Sequence, residues 1–168
     1  MIIRHEKPED TAAIRHVNEQ AFGQLAEANL IDALRRGNKI TLSLVAVQED
    51  QVVGHILFSP VTIESQEQAF PAIGLAPMAV LPELQRQGIG SLLVKTGLEA
   101  CRKADHKGVF VLGHPDYYPR FGFVSAGKYG ITSEYDVPDE AFMAIELSQG
   151  ALQGQTGIAR YQPEFNNL

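Results

Sequence analysis

The chain has 168 residues, 45% of them hydrophobic and 20% charged, which fits one globular domain with a sizeable core. Its formal net charge of −6 argues against a general nucleic-acid binder, which needs a basic face to neutralise phosphates. The single cysteine, Cys101, allows no intramolecular disulfide and fits a reducing compartment. Since no stretch resembles a signal peptide or a membrane span, we expect a cytoplasmic protein without membrane contact.

The chain begins with a short strand and two helices. Residues 1–7 predict the strand, and residues 8–22 predict a helix with Ile14 on its apolar side. A second helix is predicted for residues 25–36. Gly37 marks its end, because glycine is the residue that most often follows a helix.

The middle of the chain predicts strands. Residues 40–47 and 52–63 are rich in β-branched residues and are separated by a short polar turn, which predicts an antiparallel hairpin. Residues 72–81 predict a further strand, although Pro77 lies within it.

A third helix begins near Gly90 and is predicted to end near Lys107. Apolar or small residues recur along it at helical spacing, at positions 89, 92, 93, 96, 97, 100, 101 and 104. The later predicted elements are a strand at 109–113, an aromatic turn with a short helix at 114–123, a strand at 141–148 and a short strand in the tail. This order predicts an α+β or α/β layered domain around one central sheet.

The turn before the third helix contains two glycines, Gly88 and Gly90. The first amides of a helix have no intrahelical partners and the helix dipole is positive there, so glycines allow a phosphate to approach closely. Arg86 would add positive charge. The spacing alone is equally compatible with a helix start that binds no ligand.

Other known phosphate loops and chemistries fit less well. A dinucleotide-binding fingerprint would require a glycine where the chain has Leu93, and a P-loop would require a hydroxyl residue of the Ser/Thr type where it has Tyr129. The five histidines show no metal-binding spacing, so we predict no metal site. Cys101 lies on the apolar side of the third helix, which favours a buried structural thiol.

Two motifs resemble the GCN5-related N-acetyltransferase (GNAT) superfamily. The string "MAVLPELQRQGIGSLLV" resembles the family's [QR]xxGx[GA] motif at the start of its central helix, and "YYPRFGF" resembles its Tyr-x-x-x-Gly-Phe segment. The matching residues are Gln85, Gly88 and Gly90 in the first motif and Tyr118, Gly122 and Phe123 in the second. The resemblance is strongest to a bacterial YhbS-like branch and covers a core of residues 1 to about 148, followed by a glycine-containing tail at 149–168.

The resemblance implies the acyl-CoA N-acyltransferase fold and acetyl-CoA as co-substrate. That fold has a mixed, mostly antiparallel sheet that splays at its middle, with helices on both faces. Pantetheine would pair with the freed strand edge, and Pro77 fits that picture because it lacks an N–H. The residues that the resemblance assigns to the cofactor are Met78, Ala79, Val80, Gln85, Arg86, Gln87, Gly88, Ile89, Gly90, Ser91 and Tyr118.

The resemblance also implies transfer of an acetyl group to an amine by direct attack. Tyr118 would be the general acid that protonates the departing CoA thiolate, and Tyr117 is an alternative. Residues 72–81 contain no carboxylate that could serve as the general base. His114 is the first candidate, and Asp116, His55 or a proton-shuttling water are alternatives. Asp116 could instead cap the short helix.

The acceptor amine is not specified by the sequence. The acidic second half of residues 125–140 favours a cationic amine. The chain could be a monomer or a homodimer. Two other functions stay open: a non-catalytic acyl-CoA-binding module on the same fold, and a protein that binds another nucleotide at the glycine turn.

Overall fold

The structure, a computed structural model, describes residues 1–168. Its three α-helices are α1 (Thr11–Phe22), α2 (Ala26–Arg36) and α3 (Ile89–Lys103). Its nine strands are β1 (Ile2–His5), β2 (Leu42–Gln48), β3 (Gln51–Glu64), β4 (Ala69–Val80), β5 (Gly108–Leu112), β6 (Val124–Ser125), β7 (Ile131–Ser133), β8 (Phe142–Glu146) and β9 (Gly157–Arg160).

The chain folds into two compact units, each built from separate segments. The first comprises Met1–Phe58, Ala76–Gly97 and Pro163–Leu168, and the second comprises Ser59–Leu75 and Leu98–Gln162. The boundaries fall inside β3, β4 and α3, so each of these elements contributes to both units.

The first unit contains the predicted hairpin. β1 pairs with β2, and β2 pairs with the first part of β3, both antiparallel. Glu49 and Asp50 have positive φ angles of 51° and 63° in the connecting turn, as the tight turn of a hairpin requires. α1 and α2 pack against each other and bury Ile14 and Leu34.

The second unit contains further strand pairings. The parallel ladder of β4 with β5 comprises Ile73–Val109 and Gly74–Phe110. β8 lies antiparallel to both β5 and β6, the end of β3 pairs antiparallel with β9, and β9 pairs parallel with β7. The strands are therefore mixed and mostly antiparallel, which agrees with the predicted fold class.

The end of α3 differs from the sequence prediction. The helix stops at Lys103 rather than near Lys107. Asp105 adopts a left-handed φ of 65°, and the amide of His106 donates to the carbonyl of Cys101 at 3.1 Å. This geometry closes the helix early.

The buried side of α3 is also rotated from the predicted stripe. Leu92 is 40% exposed and Ala104 is exposed, whereas Val94 and Leu98 are buried. Apolar residues occupy more of this helix than one face, so packing rather than spacing decides which of them are buried. The short strands β6 and β7 were not predicted, because two or three residues are too few to show a periodic pattern.

Candidate active site

The glycine turn lies in the first unit, between the end of β4 and the start of α3. The amide of Leu81 donates to the carbonyl of Val53 on β3 at 3.0 Å, which fixes the end of β4. A one-turn 3-10 helix, Pro82–Leu84, follows. The Gln85 side chain then donates from Nε2 to the carbonyl of Val80 at 3.0 Å, so it ties the turn back to the strand.

Gly88 has the conformation that the turn requires. Its φ of +89° is strained for any residue with a side chain, and a Cβ built there would meet no atom within 4 Å. Arg86, also exposed, has a positive φ of 64° although it is not glycine. The turn therefore presents exposed, open backbone beside a cationic side chain.

The start of α3 is suited to an anion. The amide of Leu92 donates to the carbonyl of Gly88 at 3.0 Å, so helical hydrogen bonding begins at Leu92. The amides of Ile89 and Gly90 precede it and have no intrahelical acceptor. They lie at the positive end of the helix dipole, where a phosphate is favoured. The side chain of Ile89 is buried, which holds the turn against the protein interior.

The predicted pantetheine strand is the last part of β4. Ala79 and Val80 are buried, and Met78 is half-buried. The peptide bond between Ala76 and Pro77 is cis. The hydrogen bond from Gln85 to Val80 brings this strand and the glycine turn together in the first unit.

The predicted acid, Tyr118, lies in the second unit within an aromatic cluster. Its ring packs edge-on against those of Tyr117 and Phe123, with centroids 5.1 and 5.6 Å away. A Cβ on Gly113 would lie 2.4 Å from the Tyr118 ring, so only glycine allows this packing. Tyr118 is 8% exposed, and burial, followed by the nearby Tyr117, raises its pKa to about 12.

The turn after β5 contains the predicted base His114, the alternative base Asp116 and the alternative acid Tyr117, which are near Tyr118 in sequence and in space. The amides of Tyr117 and Tyr118 donate to the carbonyl of His114 at 3.1 and 3.4 Å. The His114 and Asp116 side chains are exposed. Tyr117 occupies the N-cap of the short helix without a side-chain capping bond, so the suggested capping role of Asp116 is wrong. Arg120 lies over the Tyr117 ring, 4.6 Å from its centroid.

His55 is a buried structural residue. It is 0% exposed, and burial, followed by the charge of Arg35, lowers its pKa to about 3. Its Nδ1 lies 3.3 Å from Nδ2 of Asn18, and its Nε2 lies 2.9 Å from Oγ of Ser43. A neutral histidine enclosed by protein partners does not reach a substrate amine.

Cys101 is equally enclosed. It is 1% exposed, and burial raises its pKa to about 12. The reactive form of cysteine is the thiolate, which such a pKa suppresses at neutral pH. Cys101 is therefore unsuited to carry an acyl-enzyme intermediate.

Three residues near Tyr118 were not singled out by the sequence. Tyr161 follows β9, and its pKa is raised by burial and then by Tyr135, Glu134 and Tyr118. The ring centroids of Tyr135 and Tyr161 are 6.1 Å apart, and the Tyr135 hydroxyl donates a hydrogen bond to the Glu134 carboxylate. The only signal in the sequence was that Tyr161 is an aromatic residue in the tail.

The chain matches the family model described as "Acetyltransferase (GNAT) domain" over residues 2–126, which include the glycine turn and Tyr118. The chain belongs to the GNAT acetyltransferase family. The protein named Uncharacterized N-acetyltransferase YhbS of Escherichia coli K12 is 35% identical over 169 residues, 100% of both chains. YjhQ of the same organism is 42% identical over 134 residues, covering 78% of this chain and 74% of YjhQ.

Two solved structures are closely similar. Escherichia coli YhbS, in complex with CoA, has a TM-score of 0.93 and covers 98% of this chain and 91% of its own. A GNAT acetyltransferase from Brucella melitensis, in complex with acetyl-CoA, is 37% identical and has a TM-score of 0.81. The match covers 98% of this chain and 97% of the Brucella chain. These similarities confirm the predicted family, its YhbS-like branch, the fold and the acyltransferase class.

No helix combines the length and apolar character that a membrane crossing needs.

Proposed function

We propose that the protein transfers an acetyl group from acetyl-CoA to a small cationic amine by direct attack. The observation that carries the proposal is the open Gly88 turn before α3 in a chain of the GNAT family. The relatives crystallised with CoA and acetyl-CoA give it further support.

The residues of the turn fit a pyrophosphate. The amides of Ile89 and Gly90, the absence of any atom near the Gly88 Cβ position, and the exposed Arg86 favour a bound anion. In the proposal the backbone from Gln85 to Ser91 binds the pyrophosphate of CoA. The Gln85 side chain holds this backbone against Val80, so its role is positioning.

The end of β4 is proposed to bind pantetheine and the thioester. Met78, Ala79 and Val80 would present backbone amides and carbonyls along this strand. The β4–β5 ladder supports this role, because its two residue pairs, Ile73–Val109 and Gly74–Phe110, both precede Pro77. A strand whose pairing stops early leaves backbone groups for a ligand.

Tyr118 is proposed to stabilise the departing CoA thiolate. With a pKa of about 12 it stays protonated at neutral pH and can donate. A thiol has a reference pKa of about 8.5, well below that of Tyr118, so full proton transfer from Tyr118 to the thiolate would be uphill. Tyr118 therefore acts mainly as a hydrogen-bond donor to the thiolate, and the thiolate can later take a proton from water.

His114 is proposed as the base that accepts the amine proton. It is exposed on the turn that positions Tyr118, and the carbonyl of the same residue fixes that turn. Asp116 is the alternative on this turn, and water is the other. Comparing His114→Gln with Asp116→Asn tests the choice, because the variant that lacks the base loses turnover most at low pH.

The proposed acceptor is cationic because an acidic pocket of about 260 Å³ lies beside β7 in the second unit. Its wall includes Tyr135, Asp136 and Asp139 and no lysine or arginine. Tyr135 packs on Tyr161, which interacts with Tyr118, so the pocket and the proposed hydrogen-bond donor to the thiolate belong to one cluster. A panel of primary amines and their neutral analogues tests the preference for positive charge.

We further propose that the whole chain acts as one acetyltransferase domain, since β3, β4 and α3 each contribute to both units. The protein is proposed to be a cytoplasmic monomer or homodimer with no nucleic-acid partner, in keeping with its free buried thiol and its acidic charge. A non-catalytic acyl-CoA-binding module is the alternative function. It would bind acetyl-CoA without turning over any amine.

A thermal-shift titration with acetyl-CoA, CoA, NAD and ATP in parallel tests the cofactor. A ligand that binds only the folded state stabilises it by about 2.7 kcal/mol at 100 times its dissociation constant. We expect stabilisation by acetyl-CoA and CoA alone. Stabilisation by NAD or ATP instead would contradict the proposal.

A further inference from the structure

A second polar pocket of about 320 Å³ lies in the first unit, where α2 ends and β2 begins. Its wall includes Glu6, Arg35, Thr41 and Ser43, and we name the cavity the Arg35 pocket. It is distinct from the glycine turn. The end of β4, which leads into the turn, is hydrogen-bonded to Val53 of β3, whereas in the pocket wall the amide of Thr41 donates to the carbonyl of Phe58. Phe58 lies five residues, or about 17 Å, further along β3.

Arg35 has unused donors. Its Nη1 donates to Oε2 of Glu6, but its Nε and Nη2 are buried and have no acceptor. Nε–H and Nη2–H form one edge of the guanidinium, the fork that binds the two oxygens of a carboxylate. A buried cationic donor without a partner is unfavourable, so this edge favours an incoming anion.

Ser43 adds a further donor to the same wall. The Asn18 amide nitrogen donates to the carbonyl of Ile14 at 2.9 Å, which fixes its orientation, so His55 Nδ1 accepts from it. The proton of neutral His55 is therefore on Nε2, which donates to Ser43 Oγ at 2.9 Å. The Ser43 hydroxyl then keeps its own proton for another acceptor.

The same direction of bonding excludes a hydrolytic triad. In such a triad the histidine accepts the serine proton, whereas here the histidine donates to Ser43. The chain Asn18–His55–Ser43 thus holds Ser43 as a donor rather than activating it as a nucleophile.

One acceptor is also unused. Oε1 of Glu6 is buried and has no partner, although the other carboxylate oxygen bonds Arg35. A ligand that offers two acceptor oxygens and one nearby donor would satisfy both members of the Arg35–Glu6 pair. The carboxylate of Glu6 would repel a dianion such as phosphate.

We propose that the Arg35 pocket binds a small carboxylate that also carries a hydrogen-bond donor, as hydroxy acids and amino acids do. The carboxylate bonds the Nε/Nη2 fork of Arg35 and the Ser43 hydroxyl. The hydroxyl or amino group donates to Glu6. Because this site is separate from the glycine turn, its ligand is not acetyl-CoA.

The test follows the backbone amide signal of Thr41, which the parent and all variants share, and in the parent also the Nε–H signal of Arg35, by ¹H–¹⁵N NMR. The full-length protein is titrated with glycolate, glycine, acetate or inorganic phosphate. We expect saturable shifts with glycolate or glycine, at an affinity about tenfold above that for acetate, since one charge-assisted hydrogen bond is worth about that factor. Arg35→Lys keeps the charge but removes the fork and should weaken binding at least about tenfold. Arg36→Lys, on the next and exposed residue, is the matched control and should bind as the parent does.

Ser43→Ala provides a second variant if Arg35→Lys does not fold, and it should also weaken glycolate binding. Shifts that never saturate would mean that the pocket holds only water and would overturn the proposal. Tighter binding of phosphate than of glycolate, or equal binding by the Arg35→Lys and Arg36→Lys proteins, would overturn it as well. The affinity for CoA, measured in parallel, should be the same in the Arg35→Lys and Arg36→Lys proteins as in the parent.

Discussion

Replacing Gly88 by glutamate tests the proposed phosphate site, and the chain offers a matched control. Gly23 follows α1 in the same unit, has a positive φ of 68° and, like Gly88, would place a Cβ in open space. Gly88→Glu and Gly23→Glu therefore introduce the same charge and the same kind of backbone strain. They differ in whether that charge stands at the start of α3.

The size of the effect follows from simple electrostatics. A left-handed conformation costs a residue with a side chain about 1–2 kcal/mol, so both variants should lose similar stability. Two unit charges 4 Å apart interact by about 1 kcal/mol in water and by more in a less polar site. A pyrophosphate with two charges near the carboxylate introduced by Gly88→Glu would thus bind at least about 2 kcal/mol more weakly, or about 30-fold.

Isothermal titration calorimetry with CoA measures the difference directly. We expect the Gly23→Glu protein to bind CoA as the parent does and the Gly88→Glu protein to bind at least about 30-fold more weakly. Urea unfolding of both proteins checks that their stability is matched. If the two variants bind CoA equally well, the glycine turn is not the phosphate site.

Four further results are expected. Tyr118→Phe should lower kcat by about tenfold to a hundredfold with little change in acetyl-CoA affinity, while Tyr117→Phe should leave kcat unchanged. A larger loss of kcat in Tyr117→Phe than in Tyr118→Phe, measured in steady-state assays, would assign the role to Tyr117. Because the pKa of Tyr118 is raised to about 12, kcat should show no alkaline decline from this residue between pH 7 and 10, and a decline in that range that disappears in Tyr118→Phe would refute the assignment. Iodoacetamide should leave activity intact, since Cys101 is buried with a pKa near 12, and inactivation that follows labelling of Cys101 would contradict direct transfer. Because the pKa of His55 is lowered in the folded state, the unfolded chain takes up a proton below pH 6.5 that the folded chain does not. The free energy of unfolding should therefore fall by about 2 kcal/mol from pH 6.5 to 5. In urea titrations the His55→Gln protein should lack this contribution to the pH dependence of the free energy of unfolding.

Much of the architecture could be predicted from local patterns. The hairpin of β2 and β3 is rich in β-branched and apolar residues on both sides of a short polar turn, and both signals lie within a few residues of each other. The glycine turn was predictable for the same reason, because Gly88 and Gly90 directly precede a helical pattern. The family resemblance rested on this turn and on the segment around Tyr118.

Features that depend on distant parts of the chain were not predictable. His55 has a buried environment because Asn18 of α1 and Ser43 of β2 meet it, and no spacing in the sequence brings these three together. Tyr161 joins Tyr135 from a tail that showed only a weak strand pattern. The buried side of α3 was misjudged because its apolar residues surround more than half of the helix, and tertiary packing selects among them.

The most direct test of the central claim is to incubate the protein with acetyl-CoA and a panel of cationic primary amines, and to measure acetylated product by mass spectrometry together with free CoA. The account predicts equal amounts of acetyl-amine and CoA for at least one amine, with loss of both in the Gly88→Glu protein. Tight binding of acetyl-CoA with no acetylated product from any amine would contradict an acetyltransferase and favour an acyl-CoA-binding module.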